Sequence, residues 1–238
     1  MPCVPDVWTL LQRRTRSSGA LPLVTYLDPA SGERTELSAT SLANAAAKIA
    51  NALRDEYGLE PGDAVALDLP QHWQRSAWCA GVWTAGCIVT DDPEQADLVV
   101  TTAPRAAVHA HRAAVVVVSM HPFGLPVTDP LPAGVTDATI AVRQQPDAYL
   151  FETPDASTPA LFVAGTSMSQ EEALASATEL GPGSGSRVAV AAGLPAITAW
   201  LACLALPLAT DGSVVLLAGD NVPDPIREQE RVSVELRP

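Results

Sequence analysis

Four consecutive valines, Val115 to Val118, lie within the uncharged run Ala113 to Ser119. A strand with no polar side belongs in a sheet covered on both faces, which in practice is a parallel sheet with helical crossovers. Other short apolar runs have the same character: Ala64 to Leu69, Ile88 to Thr90, Leu98 to Thr101, Ala160 to Ala164, Arg187 to Ala191 and Ser213 to Leu217. Helical signals separate them. From Ser38, an N-cap serine, the apolar positions Leu42, Ala46, Ile49, Leu53 and Tyr57 follow at three- and four-residue spacing until Gly58 closes the segment. Further helices are predicted at Gln71 to Ala85, Pro104 to His111, Gln170 to Leu180 and Pro195 to Leu206, with a last strand at Val232 to Leu236. Strand alternating with helix predicts a three-layer α/β fold, a mostly parallel sheet flanked by helices with right-handed crossovers. Seven prolines between His121 and Pro159 exclude a long helix there, so residues 121–159 read as a connection with short strands, one at Ala148 to Glu152. The chain then divides into 1–120, 121–159 and 160–238.

Hydrophobic residues make up 47% and charged residues 17%, which is a globular composition. The net charge of −13 repels a phosphate backbone and argues against nucleic acid as a partner. Of 14 basic residues, only Lys48 is a lysine. That scarcity removes the side chain on which phosphate-loop and Schiff-base chemistry usually depends. Cys3, Cys79, Cys87 and Cys203 show no CxxC spacing and follow no secretory leader, so a reduced, cytoplasmic setting without thiol-bound metal is expected. The uncharged run Val188 to Thr210 is long enough to cross a bilayer, but Gly193, Pro195 and Pro207 divide it into a strand and a helix. No membrane span is expected.

Gly165-Thr166-Ser167-Met168-Ser169 sits between a predicted strand and helix, the setting of a nucleophile elbow G-x-S-x-G. Serine replaces the last glycine, and His72, His109, His111 and His121 all precede Ser167, the wrong order for that hydrolase fold. A helix-capping turn is the better reading, with Ser169 and Glu172 forming a capping box. His109 and His111 diverge on a short helix, so surface positions are expected of them rather than metal ligation with His121. The glycine-rich stretch Gly181 to Ser186 leads into a strand and reads as a flexible turn. Asp91, Asp92 and Glu94 form an acidic loop at a strand's C-terminal end, where α/β sites gather. Trp73, Trp78 and Trp83 spread around one helix, some packing in the core and the rest facing a contact surface.

Three stretches taken in order carry a family resemblance: VTYLDPASGERTELSATSLANAAAKIANAL, then GLEPGDAVALDLP with its Pro61-Gly62-Asp63 turn and closing Pro70, then a helix ending AGC. They resemble the opening of the adenylate-forming, or AMP-binding, superfamily that includes acyl-CoA synthetases. GSVVLLAGD, Gly212 to Asp220, and the later ERVSVEL resemble elements that follow that family's phosphate loop. The resemblance implies the fold of the first half of the family's large domain. It also implies a phosphate loop, rich in Ser, Thr and Gly and ending in Pro-Lys, where this chain has Ala164 to Glu171 without the second glycine or the lysine. Two carboxylates, Glu171 and Glu172, stand where the family presents positive potential. The family's adenine, magnesium and ribose segments and its C-terminal domain would lie beyond Pro238.

These departures predict a non-catalytic or degenerate relative of AMP-dependent ligases that keeps weak small-molecule or partner binding, and no catalytic or metal-ligating residue is assigned. ATP or AMP, if bound, is expected to be held weakly at Gly165, Thr166, Ser167 and Ser169. The rival readings are half of a ligase completed by another polypeptide and, more remotely, a serine hydrolase using Ser167. The almost wholly apolar helix Pro195 to Leu206 fits either a buried position or an interface, so a homodimer is expected.

Overall fold

The structure, a computed structural model, describes residues 5–238. Cys3 lies outside the described residues. The chain begins with α1 (Val7–Ser18), β1 (Pro22–Asp28), β2 (Glu33–Ser38), α2 (Ala39–Asp55), β3 (Ala64–Asp68), α3 (Trp73–Thr84), β4 (Ile88–Thr90), β5 (Leu98–Thr101) and α4 (Ala106–His109). It continues with β6 (Val115–Val117), β7 (Val135–Asp137), α5 (Ala138–Gln144), β8 (Pro159–Val163), β9 (Thr166–Ser169) and α6 (Gln170–Thr178). Last come β10 (Arg187–Val190), α7 (Ala196–Trp200), a π-helical stretch (Leu201–Ala205), α8 (Leu206–Ala209), β11 (Ser213–Leu217), α9 (Asp224–Gln229) and β12 (Val234–Leu236).

The α/β class and the mostly parallel pairing are as expected, but there are two sheets. One runs β12-β10-β11-β1-β2, the other β7-β6-β5-β3-β4-β8-β9, and each is parallel apart from one antiparallel edge strand, β2 or β9. The main core contains Val24, Val188, Val214 and Leu216 from the first sheet and Val65, Leu67, Val100 and Leu161 from the second, together with residues of α1, α2, α3, α6 and the π stretch. Those helices are therefore sandwiched between the sheets. Alternate residues line the outer faces: Ala66, Val99, Val115 and Val117 pack with Ala106 of α4, and Ala189, Val215 and Leu217 pack with Val222 and Ile226. Burial on both sides is what the valine run required.

The segments 1–120 and 160–238 are stretches of chain, and they are interleaved. β1 and β2 join the first sheet beside β11, while β8 and β9 join the second beside β4. The Pro-rich stretch contributes β7 and α5. The strand expected at Ala148 to Glu152 does not form, because the Asn51 side-chain amide donates to the carbonyls of Pro146 and Ala148 at 3.1 and 3.2 Å, claiming groups a ladder would need.

Ser38 caps α2 as expected, its Oγ accepting from Ser41 N at 3.1 Å, and Leu42, Ala46, Ile49 and Leu53 are buried. α3 crosses α2 at Gly81, where a Cβ would lie 2.4 Å from Ile49 Cγ2. Trp73, Trp78 and Trp83 are all buried, so none is left for a contact surface. Held between two sheets, α3 leaves only Gln74 and Arg75 partly exposed. The helix expected at Pro195 to Leu206 instead runs from Ala196 to Ala209 through Pro207. Pro207 lacks the N–H that an α-helix would donate and its ring crowds the preceding turn, and widening to π geometry just before it accommodates both. Trp200 to Leu206 are buried within this one chain. Among the described residues no helix is long and apolar enough to cross a membrane.

Candidate functional site

Strands β3 and β4 end at Asp68 and Thr90, and the crevice beyond them is the natural place for a site in a parallel sheet. A cavity of about 190 Å³ there is lined by Asp68, Thr90, Asp91, Arg75 of α3 and Trp200 of α7, among others.

Asp68 is heavily engaged. Its Oδ2 accepts from Arg105 Nε at 2.6 Å and Thr101 Oγ1 at 3.0 Å, and it lies 2.7 Å from His109 Nε2. Burial would raise the Asp68 pKa, but these partners outweigh it and hold the carboxyl below its ordinary value. His109 is thus buried rather than at the surface as expected, because the short helix α4 turns it inward onto Asp68. Neither residue carried a sequence signal, since they are 41 positions apart.

Arg75 is the opposite case. Its guanidinium lies 3.7 Å over the Trp200 ring, while its buried Nε has no partner among the described residues. Burial lowers its pKa. The neighbouring Cys79 is a buried free thiol whose pKa is raised first by desolvation. Gln71 ties the sheets together, its side-chain amide donating to Val190 O and Leu217 O, both at 2.8 Å.

The residues expected to form a degenerate phosphate loop sit beside this crevice on one hairpin. Ala164 and Gly165 have φ of 49° and 73°, the two left-handed residues of a tight two-residue turn. Thr166, Ser167, Met168 and Ser169 then pair with Val163, Phe162, Leu161 and Pro159 as β9. Asp91 Oδ2 already accepts the Ala164 N–H at 3.0 Å. Ser169 Oγ accepts from Glu172 N at 3.1 Å, and Glu172 Oε2 accepts from Ser169 N at 2.8 Å, completing the capping box read from the sequence. Glu171 N donates to Ala156 O, and Gln170 is buried between Val7 N and Trp83 O. The first-turn amides of Glu171 and Glu172 are therefore satisfied from within the chain.

Among the described residues no histidine hydrogen-bonds Ser167, so the hydrolase reading finds no histidine base at that serine. His72 Nδ1 accepts from Gln74 N at the start of α3, His109 faces Asp68, His111 faces Glu94, and His121 accepts from Phe123 N. Among the described residues no group of three His, Cys, Asp or Glu is gathered to hold a metal.

No family model matches the chain. It is 38% identical over 235 residues to a TIGR03089 family protein of Mycobacterium tuberculosis strain H37Rv, an alignment covering 95% of this chain and 93% of that protein. The chain belongs to the TIGR03089 family. Among solved structures, it resembles an acyl-CoA synthetase of Brucella canis with a TM-score of 0.78 and 21% identity, over 97% of this chain and 47% of that one. It also resembles acetoacetyl-CoA synthetase from Streptomyces lividans, with a TM-score of 0.76 and 17% identity, over 97% of this chain and 42% of that one. A third match is the N-terminal domain of FACL13 from Mycobacterium tuberculosis, at 0.72 and 15%, over 98% and 62%. This TIGR03089 chain has the fold of the N-terminal part of adenylate-forming enzymes and spans about half the length of those synthetases.

Proposed function

We propose that this protein is a degenerate relative of the adenylate-forming ligases that does not itself make acyl adenylates and keeps a binding role. The observation that carries the reading is the occupied turn: the Asp91 carboxylate accepts the Ala164 N–H, so that amide is not free for a phosphate. Three further features support it. The turn has only two residues, the amides beside it serve the β8–β9 ladder, and no basic residue lies between Ala164 and Glu172. A triphosphate needs convergent N–H donors and positive charge, and here it would meet the Asp91, Glu171 and Glu172 carboxylates. Thr166 and Ser167 still offer hydroxyls on the hairpin strand, so residual ATP or AMP binding there is weak.

The decisive experiment is acid-dependent exchange of labelled pyrophosphate into ATP, with calorimetry of ATP and AMP on the same protein. The expected outcome is no exchange above a no-enzyme control and no nucleotide dissociation constant below the micromolar range. Exchange by the purified chain would overturn the proposal, as would submicromolar ATP binding indifferent to Thr166→Ala and Ser167→Ala.

A further inference from the structure

A different face of α3 opens onto a second cavity, of about 200 Å³, between α2, α3 and α5. Its walls are apolar, built from Ile49, Trp73, Trp78, Val118, Ala138 and Val142. Lys48 and Arg143 are its two cations, and no carboxylate lines it, although acids outnumber bases by 27 to 14 in the chain.

Among the described residues neither cation has an anionic partner. Lys48 Nζ donates to Gln145 O at 2.5 Å, and Arg143 Nη2 donates to the carbonyls of Phe123 and Gly124. These neutral acceptors hold the two side chains at the cavity and leave their charge uncompensated. The indole N–H of Trp73, a lining residue, is buried and has no hydrogen-bond partner among the described residues. Phe123, also a lining residue, is 81% exposed, a large apolar ring left in solvent at the mouth. An apolar cavity of about 150 Å³ accommodates benzene, so the space is right for one ring with a small head group. Apolar walls with a few convergent polar groups are the usual anatomy of a small-molecule pocket.

We propose that this cavity binds a small amphipathic organic anion, an apolar body of about benzene size between Trp73, Trp78 and Val142 with its single charged head at Lys48 and Arg143. The site is separate from the crevice and does not depend on the fate of nucleotide binding there. Carboxylate, sulfonate and phosphate heads share the chemistry the two cations recognise.

The test titrates the full chain with benzoate, benzenesulfonate, phenyl phosphate and neutral benzamide, read by calorimetry and by the fluorescence of the lining tryptophans. At least one anion is expected to bind saturably and at least tenfold more tightly than benzamide, and the tightest of the three names the preferred head group. The double variant Lys48→Met with Arg143→Ala should weaken that anion at least tenfold and leave benzamide unchanged. Ala45→Trp, at a partly buried lining position, should block anion and benzamide alike, and far-UV circular dichroism establishes that both variants are folded. Arg75→Met, in the crevice, should change nothing. Failure of all three anions to bind saturably overturns the proposal, as does binding that survives the double variant and Ala45→Trp, or binding abolished by Arg75→Met.

Discussion

The two cavities flanking α3 are nearly equal in size, about 190 and about 200 Å³, and opposite in character. The crevice is polar, and its carboxylates are already engaged: Asp68 by Arg105, Thr101 and His109, and Asp91 by the hairpin turn. The α2–α3–α5 cavity is apolar, with its donors turned to neutral acceptors or to nothing. Position at the C-terminal ends of a parallel sheet does not by itself make a functional site. What distinguishes the regions is which polar groups the chain has left for something else to satisfy.

The largest expected effect touches both regions at once, because α3 supplies Arg75 to one and Trp73, Gln74, Ala77 and Trp78 to the other. His72 begins that helix, accepting from Gln74 N through Nδ1, and burial pushes its pKa down to about 4. Glu33 Oε1 lies 3.5 Å from Nε2 without a hydrogen bond to it, and burial dominates, so the folded ring is neutral near pH 7. The unfolded chain protonates His72 below its ordinary value of about 6.5 while the folded chain resists until about 4. Stability should therefore be complete above pH 6.5 and fall between about pH 6.5 and 4, by up to about 3 kcal/mol. Urea unfolding across that range checks this, and His72→Asn, which keeps a capping acceptor, should flatten the dependence.

Arg75→Met separates the regions. It removes a largely buried charge that has no carboxylate partner among the described residues, so it should stabilise the fold by about 1 kcal/mol and raise Tm by a few degrees. A thermal melt showing loss of stability would mean that the contact with Trp200 outweighs the burial cost. Ser169→Ala sharpens the account of the hairpin: losing half of the capping box should cost about 1 kcal/mol in chemical denaturation without altering the other cavity. Smallest of all, Lys48→Met should move stability by less than about 0.5 kcal/mol, since a partly exposed cation without a carboxylate partner contributes little to folding. A larger loss in denaturation would make Lys48 structural and weaken its role as a ligand group.

The hairpin illustrates how far the sequence could be read. The capping box of Ser169 and Glu172 was legible because both partners lie within one helical turn. The occupied turn was not, because Asp91 and Ala164 are 73 positions apart and meet only when β8 lies beside β4. Asp68 with His109, and Arg75 with Trp200, escaped for the same reason. In the sequence Lys48 stood out only as the one lysine, and only α5, formed inside the Pro-rich connection, placed it and Arg143 on the rim of one cavity.

The sequence by itself determined the α/β class, most of the strands and helices, and the chemical poverty of residues 164–171. These are local matters of periodicity, capping and side-chain type, fixed by residues a few positions apart. The tertiary structure decided that there are two sheets rather than one, that all three tryptophans of α3 are buried, and which charges remain without partners. Sheet order and ion pairing depend on contacts between residues distant in the chain, and neither hydrophobic periodicity nor composition encodes which distant strands will lie side by side.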